Sequence, residues 1–440
     1  MDSGTSRRKF IALTGAVGLT GLAGCGGGDG DTTTTEADTQ TDQPADTDTP
    51  ADTETPGGTT TTAAATDLGS VTVGILNPMT GSYSSLGPGQ RDGAKLAVKQ
   101  INASDEFNLE IDPVYEDTGT TAGTAQQAAN RVVQQNGAQF VFGAISSSVA
   151  LSLNEFAKSE ELIYFPGGAA VPITGSACNE WVFRFETNTA QVAEAISAYT
   201  VNNLGTNVWF HIADYAYGDS VYKRTKSRMQ AANSDFTEAG KTASQLGSSN
   251  FGSYISQISN SDADAVILGM TGGDLINFTS QAVDAGLKDQ VNIVGPTMSF
   301  QVVRGALGSK AEGTYGGVRY NASIDLGDNN QFVQAFQDEH GGRPDNFERV
   351  GYDSVRLMAR GMMKAGSTDP ADAKEALAGG TFTTVLGDIT LRGCDHQATN
   401  PTWMAEMVPG DGKMTKVETL SKTPGDEALP PCSDVGCNLG

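Results

Sequence analysis

From Leu68 onward, short apolar runs alternate with segments whose apolar residues recur every three or four positions. Residues 71–76 read as a first strand, and residues 93–101 as part of a helix with Ala94, Ala97, Val98 and Ile101 facing inward. Residues 109–115 alternate like a strand. Residues 122–136 are helical, with Ala125, Ala128, Val132 and Val133 on one face and Gly137 as the stop. The apolar run 140–144 has the composition of a strand buried on both faces. It ends at Ser146, Ser147 and Ser148, residue types that favour a helix N-cap because a hydroxyl accepts from an unpaired backbone N–H. A helical pattern follows with Val149, Leu151, Leu153, Phe156 and Ala157, then a buried strand at 162–165 and the turn Gly167-Gly168-Ala169-Ala170.

This stretch is a βαβ unit, whose loops open at the carboxyl ends of parallel strands, where open α/β sheets bind ligands. Free N–H groups at a helix start, with hydroxyls beside them, suit a carboxylate or similar anion. Taken singly each serine reads as an ordinary cap; two small polar turns expected side by side at one sheet edge point to a site. Alternation resumes at 208–212, 220–232, 265–269, 275–285 with Gly286 as its stop, and 291–294, and a long amphipathic helix covers 352–364. Two such series predict parallel sheets in two lobes, an α/β fold.

The ends of the chain read differently. Ser6-Arg7-Arg8-Lys9-Phe10-Ile11 followed by a short apolar run is a twin-arginine signal. The run is shorter than the ~20 residues a membrane span needs. It closes on Leu22-Ala23-Gly24-Cys25, which looks like a lipobox with Cys25 as the lipidated residue, so residues 1–25 are a targeting segment. Residues 26–67 form a Thr/Asp/Pro/Gly tract with ten carboxylates and no Lys or Arg, expected to be a disordered tether. The whole chain of 440 residues carries a formal charge of −24; without the signal peptide and tether, −16 remains on the folded part. That charge disfavours nucleic acid and anionic lipid surfaces. Widely spread aspartates, scarce lysine and 38% hydrophobic residues resemble proteins of extreme halophiles.

Catalytic motifs are sparse. Gly87-Pro88-Gly89 lacks the dinucleotide spacing, and neither a P-loop nor a nucleophile elbow occurs. Asp395-His396 has no nucleophile motif to serve, and His211 has no second ligand near it, so both read as structural. No cofactor, metal site or enzymatic activity is expected. Cys178, Cys394, Cys432 and Cys437 allow three disulfide pairings. The expected one is Cys178–Cys394 with Cys432–Cys437. Asn102, Asn277 and Asn321 are permissive glycosylation sequons.

From Leu68 to the end the chain resembles the Leu/Ile/Val-binding and amide-binding family of ABC-transporter solute-binding proteins. The resemblance rests on the order of Gly74-Ile75-Leu76-Asn77-Pro78-Met79-Thr80-Gly81, Ser146-Ser147-Ser148-Val149-Ala150-Leu151, Thr174-Gly175 with Cys178-Asn179, and Phe183-Arg184. It continues through Asp214-Tyr215-Ala216-Tyr217-Gly218, Gly351-Tyr352-Asp353, and Arg392 with Asp395-His396-Gln397. The twin-arginine start and acidic tether are what a haloarchaeal lipoprotein of this family would show.

The resemblance implies a type I periplasmic-binding fold: two Rossmann-like lobes joined by three crossovers, closing on a ligand. Lobe one is expected at 68–187 plus 319–397 and lobe two at 188–318 plus 398–440. By similarity, Ser147 and the backbone near Gly168, Ala169 and Ala170 hold the ligand carboxylate; Ala170 stands where amino-acid binders have a hydroxyl. Tyr217, Thr271 and Thr297 cover the ligand from lobe two, and Leu86 and Phe347 form the apolar rim. Tyr83, Ser146, Ser148, Asn188 and Asp214 complete the expected set. Amino-acid binders of the family place a glutamate after a Gly-Pro turn, where this chain has Gly295-Pro296-Thr297. Thr271 replaces the aromatic residue that covers the ammonium in those binders.

The implied function is a lipid-anchored, monomeric binding protein on the outer face of the cytoplasmic membrane, delivering a small solute (amino acid, amide or related carboxylate) to an ABC permease. The alternatives are a ligand-sensing subunit of a membrane receptor on the same fold, or a surface hydrolase or adhesin, which the missing nucleophile disfavours.

Overall fold

The computed structural model of the protein describes residues 67–439. The expected signal peptide, Cys25 and all but the last residue of the expected tether lie outside the described residues.

The chain first lays down β1 (Ser70–Asn77), α1 (Gly87–Asn102), β2 (Glu110–Asp117), α2 (Ala122–Asn130), β3 (Phe140–Gly143), α3 (Ser147–Glu160) and β4 (Ile163–Pro166). These strands make a parallel sheet in the order β2-β1-β3-β4. Side-chain alternation assigns the faces of β1. Val73 and Ile75 join one hydrophobic cluster, while Leu76 joins another with Ala125, Val132, Val149 and Leu153 from the helices on the opposite side. Burial on both faces explains why β3 and β4 are apolar throughout, while the edge strand β2 keeps polar residues.

The second series is α4 (Thr189–Tyr199), β5 (Asn207–Ala213), α5 (Ala216–Ala232), β6 (Thr237–Ser244), α6 (Gly252–Ser259), β7 (Ala265–Gly269), α7 (Gly272–Asp284), β8 (Asn292–Gly295), α8 (Gln301–Leu307) and β9 (Tyr315–Val318). The chain then returns to the first sheet with α9 (Asn329–His340), α10 (Asn346–Ala365), α11 (Pro370–Leu377) and the hairpin β10 (Thr381–Thr384) and β11 (Gly387–Thr390). It crosses a third time into β12 (Thr402–Val408) and β13 (Lys416–Thr423). The second sheet runs β13-β12-β9-β8-β7-β5-β6, with β12 and β13 antiparallel additions to a parallel core. Three passages of chain between two α/β layers make this the type I periplasmic-binding architecture.

Helix α10 packs along α1 at backbone contact. A Cβ on Gly93 would stand 1.9 Å from the Glu348 carbonyl oxygen, and one on Gly351 would stand 2.2 Å from that of Gln90. Glycine at both crossing points is therefore a steric requirement.

The disulfides depart from expectation. Cys178 bonds Cys437 and Cys394 bonds Cys432, with Cα separations of 5.9 and 6.2 Å. The tail beyond β13 runs beside the 392–394 segment: Arg392 Nη1 donates to the Pro430 carbonyl at 2.8 Å and the Leu439 N–H to that of Cys394 at 3.1 Å. Val435 and Cys437 pack with Val171 and Ala190. This course presents the two tail cysteines to different partners, so the short Cys432–Cys437 loop does not close on itself.

Candidate functional site

The carboxyl ends of β1, β3 and β4 face those of β5, β7 and β8, and the loops that follow them meet. Tyr83 from the β1 loop hydrogen-bonds by its hydroxyl to that of Tyr215 at the start of α5, with ring centroids 6.4 Å apart. Leu86 is buried close to the start of α7, where a methyl on Gly272 would sit 3.5 Å from Leu86 Cδ1. Phe347, in the first turn of α10, meets Phe300 edge-on at 5.4 Å. The Val171 N–H donates to Ser220 Oγ at 3.0 Å, a second polar tie between the two layers.

Because β3 and β4 are neighbours, Ser147 lies against the Gly168–Ala170 turn. Ser147 is 1% exposed, and its Oγ accepts from the Ala170 N–H at 3.1 Å. The Gly168 and Ala170 carbonyls both take hydrogen bonds from Arg184 Nη1, at 3.2 and 2.6 Å. The turn is thus clamped from two sides before any ligand arrives, which is the preorganisation a binding loop needs. Ser146 occupies the N-cap of α3 but its side chain makes no capping bond, and Ser148 is exposed. Of the three serines, only Ser147 joins the turn.

On the facing wall, Tyr217 is 3% exposed, and its hydroxyl accepts from Arg319 Nη2 at 3.2 Å. Burial raises the Tyr217 pKa above its ordinary value. The Thr297 side chain is a second hydrogen-bond partner of this hydroxyl. Thr297 Oγ1 donates to the Met270 carbonyl at 3.2 Å. Thr271 is the N-cap of α7, and its buried Oγ1 has no partner. Asp214 is exposed at the turn after β5, so it does not supply a buried charge to this wall. Asn188 is used as the cap of α4, its Oδ1 accepting from the Ala190 and Gln191 N–H groups at 2.9 and 3.0 Å.

Sequence reasoning missed a buried ionic network beneath the cleft. Glu186, fully buried on the first crossover, accepts from Arg319 Nη1 at 3.1 Å and from Asn346 Nδ2 at 3.0 Å. Arg349, one turn along α10, is fully buried 4.7 Å from the Phe185 ring centroid, and none of its three side-chain nitrogens has a partner. Asp353 is the first electrostatic partner of Arg349; burial pushes the Asp353 carboxyl up to about 6. A signal for this existed in the order Phe183-Arg184-Phe185-Glu186, where charged residues alternate with aromatics although all four are buried. Asp274, in the first turn of α7, accepts the Gly247 N–H with both oxygens at 3.1 and 3.0 Å and is raised to about 6, chiefly by burial.

The two histidines set aside from the sequence are structural. His211 Nδ1 lies 2.8 Å from Thr242 Oγ1 and its ring stacks 4.8 Å from Phe278. His396 stacks 4.0 Å from Phe183. Burial lowers both to about 4, so each is neutral near pH 7.

Comparison with known proteins agrees with this geometry. Residues 70–413 match the family described as "Periplasmic binding protein". The Leu/Ile/Val-binding protein homolog 4 of Brucella abortus is 23% identical over 394 residues, covering 83% of this chain and 92% of that protein. Among solved structures, an amino acid ABC transporter substrate-binding protein from Pseudomonas fluorescens superposes with a TM-score of 0.75 at 23% identity, covering 84% of this chain and 99% of the other. A solute-binding protein of an ABC transporter from Rhodopseudomonas palustris, solved with 3,4-dihydroxybenzoic acid, gives 0.73 at 20% identity, covering 81% and 98%. With two α/β layers joined by three passages of chain and a cleft between their strand ends, this chain belongs to the periplasmic binding protein family: it is a solute-binding protein, not an enzyme.

Proposed function

We propose that the protein captures a small carboxylate or neutral amide lacking an α-ammonium group and presents it to an ABC permease. The observation that carries this is the second wall of the cleft. Where amino-acid binders of the resembling family place a glutamate, Thr297 offers a neutral hydroxyl. Tyr217 is a neutral hydroxyl held by Arg319, Thr271 Oγ1 is unpartnered, and Asp214 is exposed. Burying an ammonium without an anionic partner costs several kcal/mol, on the order of 3–5 when a charge is left uncompensated. The clamped Gly168–Ala170 turn beside Ser147 supplies the opposite end of the site. The relative solved with a dihydroxybenzoic acid supports an aromatic acid as one such ligand, while the Brucella relative's name favours the competing amino-acid reading.

In this proposal residues 68–187 with 319–397 and residues 188–318 with 398–440 are the two lobes, and closure creates the surface the permease reads, so affinity and signal share one equilibrium. The protein acts as a monomer, exported by the twin-arginine route and anchored through lipid on Cys25. Calorimetric titration at molar salt with leucine, benzoate and benzamide tests the ligand class. Binding of the acid or the amide without leucine supports the proposal; micromolar leucine binding overturns it.

A further inference from the structure

A cleft of about 380 Å³ opens between the start of α8, the 321–323 segment, Arg343 and the 411–417 turn, and its lining inverts the charge of the chain. The sequence has 28 basic residues against 52 acidic ones. Here Arg304, Arg343 and Lys416 converge and Asp411 is the single lining acid. Four other clefts on the described surface have at least as many acidic as basic lining residues.

The site has a fixed floor. Arg304 is 4% exposed; its Nε donates to the Ser299 carbonyl at 2.7 Å and its Nη1 to the Thr415 carbonyl. Neither bond uses Nη2. Thr415 lines the same cleft and is 2% exposed, with an Oγ1 that has no partner. Arg343 is held over the cleft by Nη2 donating to the Ala322 carbonyl at 2.8 Å. Lys416 pairs with Asp411 at 2.7 Å, an exposed ion pair of small worth that a competing anion can displace.

We propose that this cleft binds a small oxyanion of the phosphate class, with Arg304 as the buried anchor and Arg343 and Lys416 closing over it. The forked guanidinium geometry matches tetrahedral oxyanions, and charge-assisted bonds are the strong ones. The cleft also joins two parts of the molecule. Arg304 and the 411–417 turn belong to the seven-stranded sheet's side, whereas Arg343 lies between α9 and α10, which pack with β1. Gln301 already stitches these parts, its Nε2 donating to the Pro344 carbonyl at 2.8 Å. An anion seated here adds a second stitch and favours the arrangement in which the two layers touch; by reciprocity, solute-driven closure tightens the anion.

The test is phosphorus NMR and calorimetric titration of inorganic phosphate into the folded protein at fixed chloride. Saturable binding is expected, weakened about tenfold or more in the double variant Arg343→Gln/Lys416→Gln and unchanged in Lys422→Gln, which removes a cation from the neighbouring cleft. Arg343 and Lys416 are exposed, so the variants keep the native melting temperature without phosphate while losing the rise that phosphate gives the parent. No saturable binding to the parent, equal binding to the double variant, or equal loss in Lys422→Gln each overturns the assignment.

Discussion

Replacing Glu186 with Gln removes one charge from the network beneath the cleft while keeping its volume. Glu186 is fully buried and takes hydrogen bonds from Arg319 and Asn346, and Arg319 in turn holds Tyr217. Without the carboxylate, the Arg319 guanidinium loses its buried ion-pair partner, and Arg349 is left with Asp353 as its electrostatic partner while lacking hydrogen-bond partners. Leaving a buried charge uncompensated costs about 3–5 kcal/mol. Unfolding entropy of about 2.1 cal/mol/K per residue amounts to about 0.8 kcal/mol/K for a folded region of this size, so the melting temperature should fall by about 4–6 °C. Thermal unfolding at fixed pH and salt measures it. Removing both charges is a different perturbation: Glu186→Gln/Arg319→Met should recover more than half of the loss, because a buried pair replaced by apolar volume is often neutral. A single variant within about 1 °C of the parent, or a double variant worse than the single, would refute a dry, tightly coupled network.

Ser147→Ala leaves the Ala170 N–H without its acceptor and should cost about 1–3 kcal/mol of stability while weakening solute binding, read by unfolding and calorimetry on the same sample. His211, lowered by burial from 6.5 to about 4, contributes stability that is complete above pH 6.5 and lost as pH falls towards 4. That contribution is worth about 3 kcal/mol at most, and His211→Gln should flatten the stability–pH slope across this window; an unchanged slope would assign the acid sensitivity elsewhere. Cys432→Ser opens a bond spanning 38 residues, and the chain-entropy account expects a loss of about 4 kcal/mol, seen as a lower melting temperature under non-reducing conditions.

The parallel elements were legible because their apolar runs are long and buried on both faces, as at 140–143 and 265–269. β6 escaped notice because Thr-Glu-Ala-Gly-Lys-Thr-Ala-Ser at a sheet edge has no apolar alternation. β13 is polar for the same reason, and β12 pairs antiparallel to it, against the parallel trend of β5 to β9. In the site, Ser147 and the Gly168–Ala170 turn could be paired from sequence because adjacent parallel strands bring their following loops together. The Glu186–Arg319–Asn346 contacts could not, since they join three segments separated by more than a hundred residues, or nearly thirty for the last two. Disulfide pairing failed for a related reason: sequence proximity favours the short loop, but the path of the tail decides which sulfurs meet.

That tail gives the molecule an unusual covalent outline. The Cys178–Cys437 bond spans 259 residues, so the whole second sheet, the helices α9 to α11 and the last crossover lie on a single closed ring of covalent bonds. A protease that cuts one peptide bond within the ring, for example in the exposed 409–414 turn, opens the ring without releasing a fragment. The upstream end stays joined to the strands that precede Cys178 through the peptide chain, and the downstream end through sulfur. A nicked molecule therefore migrates as one chain until it is reduced, and it can go on holding its ligand after damage that would split an unbridged protein in two.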